Sequence, residues 1–201
     1  MRLTTSLLVL ALTTQVHAQT PERTLAMNFT ASAETFRAAT DEYRAIWDKE
    51  GGRIVAAMER ATGLRFEPGP IDVTVYEGVS YSGGGARPMF LRASYPERTK
   101  RGTLVHELAH RLASGLPFKG DHHELIFLFV YDVWVDLWGQ PFADEQVKVE
   151  SQRKGIVDYE GIWKKTLTLS AAERAKRFQE IVQANSLAAV AHRNERTSYV
   201  V

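Results

Sequence analysis

The chain has 201 residues, with 25 Lys and Arg against 24 Asp and Glu. That near-neutral balance provides neither a basic surface for nucleic acid nor one for an anionic membrane. The absence of cysteine removes disulfides, thiolate metal sites and cysteine nucleophiles together.

Residues 1–18 have the pattern of a secretory signal. Arg2 supplies the positive start, and Leu7 to Leu12 form an apolar core too short to span a bilayer. Val16-His17-Ala18 offers a small-residue cleavage site before Gln19. No cysteine follows that site, so a lipid anchor is not expected. The expectation is export, to a bacterial periplasm or the medium, with residues 19–201 forming one domain and no later membrane span. With Arg2 gone, the formal charges balance.

Gln19 to Asn28 is expected to be a flexible leader. Thr30 or Ser32 can cap a helix, with Thr35 and Phe36 early in it, because Phe36, Ala39, Tyr43, Ile46, Trp47, Ile54, Val55 and Met58 keep helical spacing. Gly51-Gly52 either splits this stretch or marks a close packing point, and Gly63 is a stop. Ile71 to Tyr76 alternates β-branched residues and reads as a strand. Ser80 to Pro88, with Gly83-Gly84-Gly85, reads as a mobile connection or hairpin tip, and Met89 to Tyr95 as a second strand.

A helix is expected from Glu97 to Ser114, ended by Gly115-Leu116-Pro117. It carries His106-Glu107-Leu108-Ala109-His110, an H-E-x-x-H motif. Positions i and i+4 share a helix face, so both imidazoles can reach one ion. Glu107 lies about 100° round from His106, where a carboxylate sits beside a metal's water and not on the metal. Leu104, Val105, Leu108 and Leu112 keep an apolar stripe along the same helix.

From Asp121, a good cap, to Gly139, a good stop, the chain is apolar nearly all round and reads as a buried central helix. Further helices are expected from Pro141 to Gln152, from Tyr159 to Leu167, and from Ala171 to Asn185 behind a Ser170–Glu173 capping box. The charged face of the last should be solvated, its tail from Ala188 should fray, and His192 there is incidental.

A catalytic zinc site needs three protein ligands and an open position. His122, His123 and Glu124 follow His110 by 12, 13 and 14 residues. Periodicity does not separate them, since each shares a face with apolar residues of the buried helix. Asp132 and Asp136 lie one turn apart on that helix, and a buried carboxylate needs a partner. Each is a candidate acceptor for a ligating imidazole or for Arg111, or part of a polar stripe paired with nearby cations. Tyr131 could donate to a developing oxyanion, or be a core tyrosine with its hydroxyl satisfied.

Over residues 70 to 139 the chain resembles the zincin class of metallopeptidases. The resemblance implies Zn²⁺ held by His106 and His110, with Glu107 as catalytic base. SprT-like and WLM-like zincins bring a third His about this far downstream, followed four residues later by an aromatic, which is similar to His123 with Phe127. The order of candidates for the third ligand is therefore His123, then Glu124, then His122. Metzincins fit worse, because Ala113 and Leu116 stand where their glycine and third His would be. The thermolysin-like branch also fits worse, because Glu124 comes early and Leu128 follows it.

The expected fold is α+β and zincin-like: a small mixed sheet over the motif helix and a mostly helical C-terminal half. By resemblance, Met89 to Tyr95 would be the edge strand to which a peptide adds. The expected function is a secreted zinc-dependent peptidase acting on peptides or proteins. The alternative is a non-catalytic zincin-like binding module with a structural metal.

Overall fold

A computed structural model describes residues 25–85 and 87–198. The expected signal, His17 and the start of the leader lie outside the described residues, as does the side chain of His192. The elements are, in chain order, β1 (Met27–Ala31), α1 (Arg37–Thr62), β2 (Ile71–Tyr76), β3 (Tyr81–Ser82), β4 (Met89–Arg92), α2 (Glu97–Leu112), α3 (His122–Trp138), α4 (Gln140–Ser151), α5 (Tyr159–Leu167) and α6 (Ala171–Ser198). The class is mixed α+β. A four-stranded sheet has the order β1-β2-β4-β3, with β1, β2 and β4 parallel and β3 antiparallel.

Strand β2 lies inside the sheet. Its alternate residues Ile71, Val73 and Val75 are buried, as period-two patterning requires. Strand β1 replaces part of the expected leader. Thr30 caps no helix: it pairs with Thr74, and its hydroxyl donates to the Val73 carbonyl at 3.1 Å. Ser32 donates its backbone N–H to Val75. A short 3₁₀ turn, Glu34–Phe36, then leads into α1.

Helix α1 runs unbroken through Gly51-Gly52. Gly51 is a packing point, where a Cβ would come within 2.8 Å of the Trp47 ring. Strand β4 is not an edge. Tyr81 and Ser82 of β3 pair with Phe90 and Met89, and the Ser80 hydroxyl accepts from Arg92 N–H at 3.0 Å. The expected strand is also shorter, because the chain turns at Ala93 toward Pro96. The glycine connection is held to the end of α2, where Arg111 donates to the carbonyls of Gly85 and Arg87.

Helix α3 is the hub. Leu125 to Val130, Val133, Trp134 and Leu137 are buried, and α1, α2, α4, α5 and α6 all pack on it. Little of such a helix meets solvent, so its buried polar groups must find protein partners. The Ser170–Glu173 capping box is present, with Ser170 N–H donating to Glu173 Oε2 at 2.8 Å and Glu173 N–H to Ser170 Oγ at 3.3 Å. Helix α6 continues past Asn185 to Ser198. Its charged face is not wholly solvated either: Arg174 is buried and Phe178 fully so.

Candidate metal centre

Helix α2 presents His106 and His110 one turn apart, and the first turn of α3 brings His123 opposite them. The Nε2 atom of His110 lies 3.2 Å from Nε2 of His106 and 3.2 Å from Nε2 of His123. The three residues form a group whose ligand atoms lie within 4.8 Å of one another. His106 is buried, and the other two are half-buried.

The outer nitrogens explain why the inner ones converge. His106 Nδ1 is 2.7 Å from Glu150 Oε1. His123 Nδ1 is 2.6 Å from Asp121 Oδ1. A carboxylate in contact draws the imidazole proton to Nδ1 and leaves the Nε2 lone pair facing inward. His110 Nδ1 is 2.8 Å from His122 Nδ1. With the His110 proton placed there, His122 accepts it and all three inner lone pairs point at one another. Three lone pairs without a proton among them repel, and only a cation satisfies all three.

The 3.2 Å spacing of these two pairs suits a tetrahedral first-row ion such as zinc. Zn–N bonds of about 2.0–2.1 Å at tetrahedral angles put ligand nitrogens about 3.3–3.4 Å apart. Electrostatics agree, because metal ligands must be neutral imidazoles. Burial, then neighbouring His106, pushes His110 far below the ordinary histidine range and His123 down to about 4. His122 is lowered chiefly by burial, against a hydrogen bond with the Ala113 backbone and the charge of Asp121.

Asp121 does two things at once. Its carboxylate caps α3 by accepting the His123 backbone N–H at 2.9 Å, and the same oxygen fixes the His123 ring. Glu150 reaches His106 through the α2–α4 packing. A Cβ on Gly102 would fall 2.3 Å from the Gln146 amide oxygen, so the helices approach closely there. One turn further along each helix the same approach sets Glu150 against His106. Burial alone would raise Glu150, but His106, Arg153 and the Trp163 indole, which donates to Oε2 at 3.0 Å, outweigh it and hold the carboxyl below its usual range.

Glu107 has the opposite balance. It is 2 % exposed, and its Oε2 is buried with no hydrogen-bond partner. Burial, with Glu150 adding, raises it to about 7 against the pull of His106 and Arg153.

The remaining sequence candidates lie elsewhere. Glu124 is 3.8 Å from the Lys165 ammonium and outside the histidine group. His122 stands behind His110, not in the group. The Tyr131 hydroxyl donates to Asp144 at 2.7 Å. Asp132 accepts from Arg174 at 2.9 and 2.6 Å, and Asp136 from Arg60 at 2.8 Å. Neither aspartate orients a ligating imidazole or holds Arg111. Sequence reasoning did not single out Glu150 or Arg153, nor Tyr159, whose ring lies 4.7 Å from the His123 ring and 6.4 Å from that of His106.

Compared with models of known families, with curated proteins and with solved structures, the chain matches none.

Proposed function

We propose that this protein is a zincin-like, zinc-dependent peptidase, exported under the direction of residues 1–18. The observation that carries the reading is the convergence of three imidazole Nε2 atoms, with Glu107, whose Oε2 is buried and unpartnered, next in sequence to His106. His106, His110 and His123 would hold the ion. Bound there, zinc would supply Lewis acidity, lowering the pKa of water and polarising a carbonyl.

The chain's own residues supply the rest. Glu107 accepts the proton of the attacking water and passes it to the leaving amine, a task suited to a group titrating near neutrality. Glu150 and Asp121 keep the His106 and His123 rings turned inward, and His122 does the same for His110. The mixed sheet, the motif helix and a third ligand from the following helix together support the zincin-like reading of the fold.

The alternative, a binding module with a closed structural metal, needs a fourth protein ligand. His122 and Glu124, the side chains nearest in sequence, are turned to His110 and Lys165. No fourth metal-ligating side chain joins the group among the described residues. The open-site reading is therefore favoured. Glu107→Gln should keep zinc and sharply lower peptide hydrolysis; hydrolysis by the variant at the parent rate would overturn the assignment.

A further inference from the structure

We infer that Arg153 is a substrate-binding residue of this centre and that it takes a carboxylate carried by the peptide. The inference rests on the peptidase reading and adds the chemical class of substrate.

Arg153 follows the end of α4, where its backbone N–H bonds back to the Glu150 carbonyl at 2.9 Å. This turn folds the guanidinium toward the metal centre. Its Cζ lies 5.5 Å from the centre of the Tyr159 ring, and that ring packs on His123. Nη2 is 3.7 Å from Glu150 Oε1, the oxygen that faces His106. Arg153 is thus one side chain removed from two of the three histidines.

The Tyr159 hydroxyl takes one hydrogen bond from the Arg153 side chain, but the hydrogen bonding is still incomplete. Nε is buried without a partner, and 3.7 Å to Glu150 is an ion-pair distance, too long for a hydrogen bond. Glu150 has already committed one oxygen to His106 and the other to Trp163. Two other arginines of low exposure show what a structural guanidinium looks like here. Arg174 grips Asp132 with two nitrogens, and Arg101 bonds Glu50 at 2.8 Å and Glu97 at 2.7 Å.

Burying a guanidinium with idle donors is costly, and its planar fork matches a carboxylate in shape and charge. The side chain remains 20 % exposed, so a ligand can reach it. The acidic groups around it are Glu150, bound as described, and Glu107, which makes no hydrogen bond or ion pair with Arg153. Neither fills the fork. The carboxylate can come from a free chain end or from an acidic side chain next to the bond that is cut.

The test uses the full chain with Glu107→Gln, so that peptides bind without being cleaved, and follows binding by calorimetry after loading with zinc. Three short peptides otherwise identical are compared: one with a free C-terminus, one with an amidated C-terminus, and one amidated with an Asp side chain. At least one carboxylate peptide should bind about tenfold or more tightly than the neutral amide, as expected for a charge-assisted hydrogen bond. Whichever carboxylate peptide binds tightly identifies the source. Adding Arg153→Met should erase the preference while zinc stoichiometry stays at that of the parent.

Should Arg153→Met lose zinc, Arg153→Lys carries the test. It keeps the charge beside Glu150 and removes the fork, and the preference should fall with zinc retained. Equal binding of all three peptides, or a preference that survives both substitutions, overturns the inference and leaves the peptidase reading standing. No zinc uptake by the parent overturns both.

Discussion

The two ends of α3 handle polar groups in opposite ways. Past its middle, Tyr131, Asp132 and Asp136 each have a protein partner: Asp144, Arg174 and Arg60. At its N-terminus, His123 has a partner only for its outer nitrogen, and its inner one faces two more lone pairs. Both ends meet the same apolar core. A polar group satisfied within the protein is serving the fold, whereas one aimed at other acceptors is free to take a ligand.

The largest expected effect separates the ends by catalysis. On the proposed reading, Glu107→Gln lowers peptide turnover by about 10²–10⁴-fold, while Tyr131→Phe leaves it at the parent rate; steady-state assays of the pair test this. Next comes metal affinity. Glu150→Gln and Asp121→Asn each loosen a ligating imidazole and should weaken zinc binding about 10–100-fold in competition with a chelator, whereas Asp132→Asn should leave it alone.

Stability reverses the ranking. Arg174→Met strands Asp132 beside the core and should cost about 2–3 kcal/mol in urea unfolding, less than a fully buried pair because Asp132 is part-exposed. Zinc affinity should be unchanged. Arg60→Met breaks a solvent-exposed pair and should cost about 0.5 kcal/mol or less.

Acid sharpens the comparison in the metal-free protein. His123 is lowered from 6.5 to about 4, so its contribution to stability is complete above pH 6.5 and is lost as pH falls through 4. His110 and His122 are shifted the same way. Glu107, raised from 4.5 to about 7, contributes stability that is complete below pH 4.5 and is lost as pH rises through 7. Three histidines oppose one glutamate between pH 4.5 and 6.5, so the melting temperature should fall on acidification across that window. Glu107→Gln removes the opposing group and should make the fall steeper.

Much of the frame around the site is legible in the sequence. The 3.6-residue period, the Asp121 and Ser170 caps and the two glycine stops, Gly63 and Gly139, delimit helices α1 to α6 to within a few residues at most of their ends. What escapes is non-local. Strand β1 exists because β2 pairs with it from 44 residues away, and no local pattern announces a parallel partner. Glu150 is equally distant from His106, so only the packed helices reveal the pair. His122, His123 and Glu124 all share faces with apolar residues, and periodicity is silent among them. The Asp121 carboxylate makes the distinction, because it binds the backbone and ring of His123 together. Asp132 and Asp136 drew attention as carboxylates on a greasy helix, but their arginines come from α6 and α1.

The most direct test of the central claim is zinc X-ray absorption on the purified protein, with metal content measured on the same sample. The account predicts one zinc per chain, coordinated by three imidazole nitrogens and one oxygen from solvent. Four imidazoles, or no zinc after its addition, would contradict it.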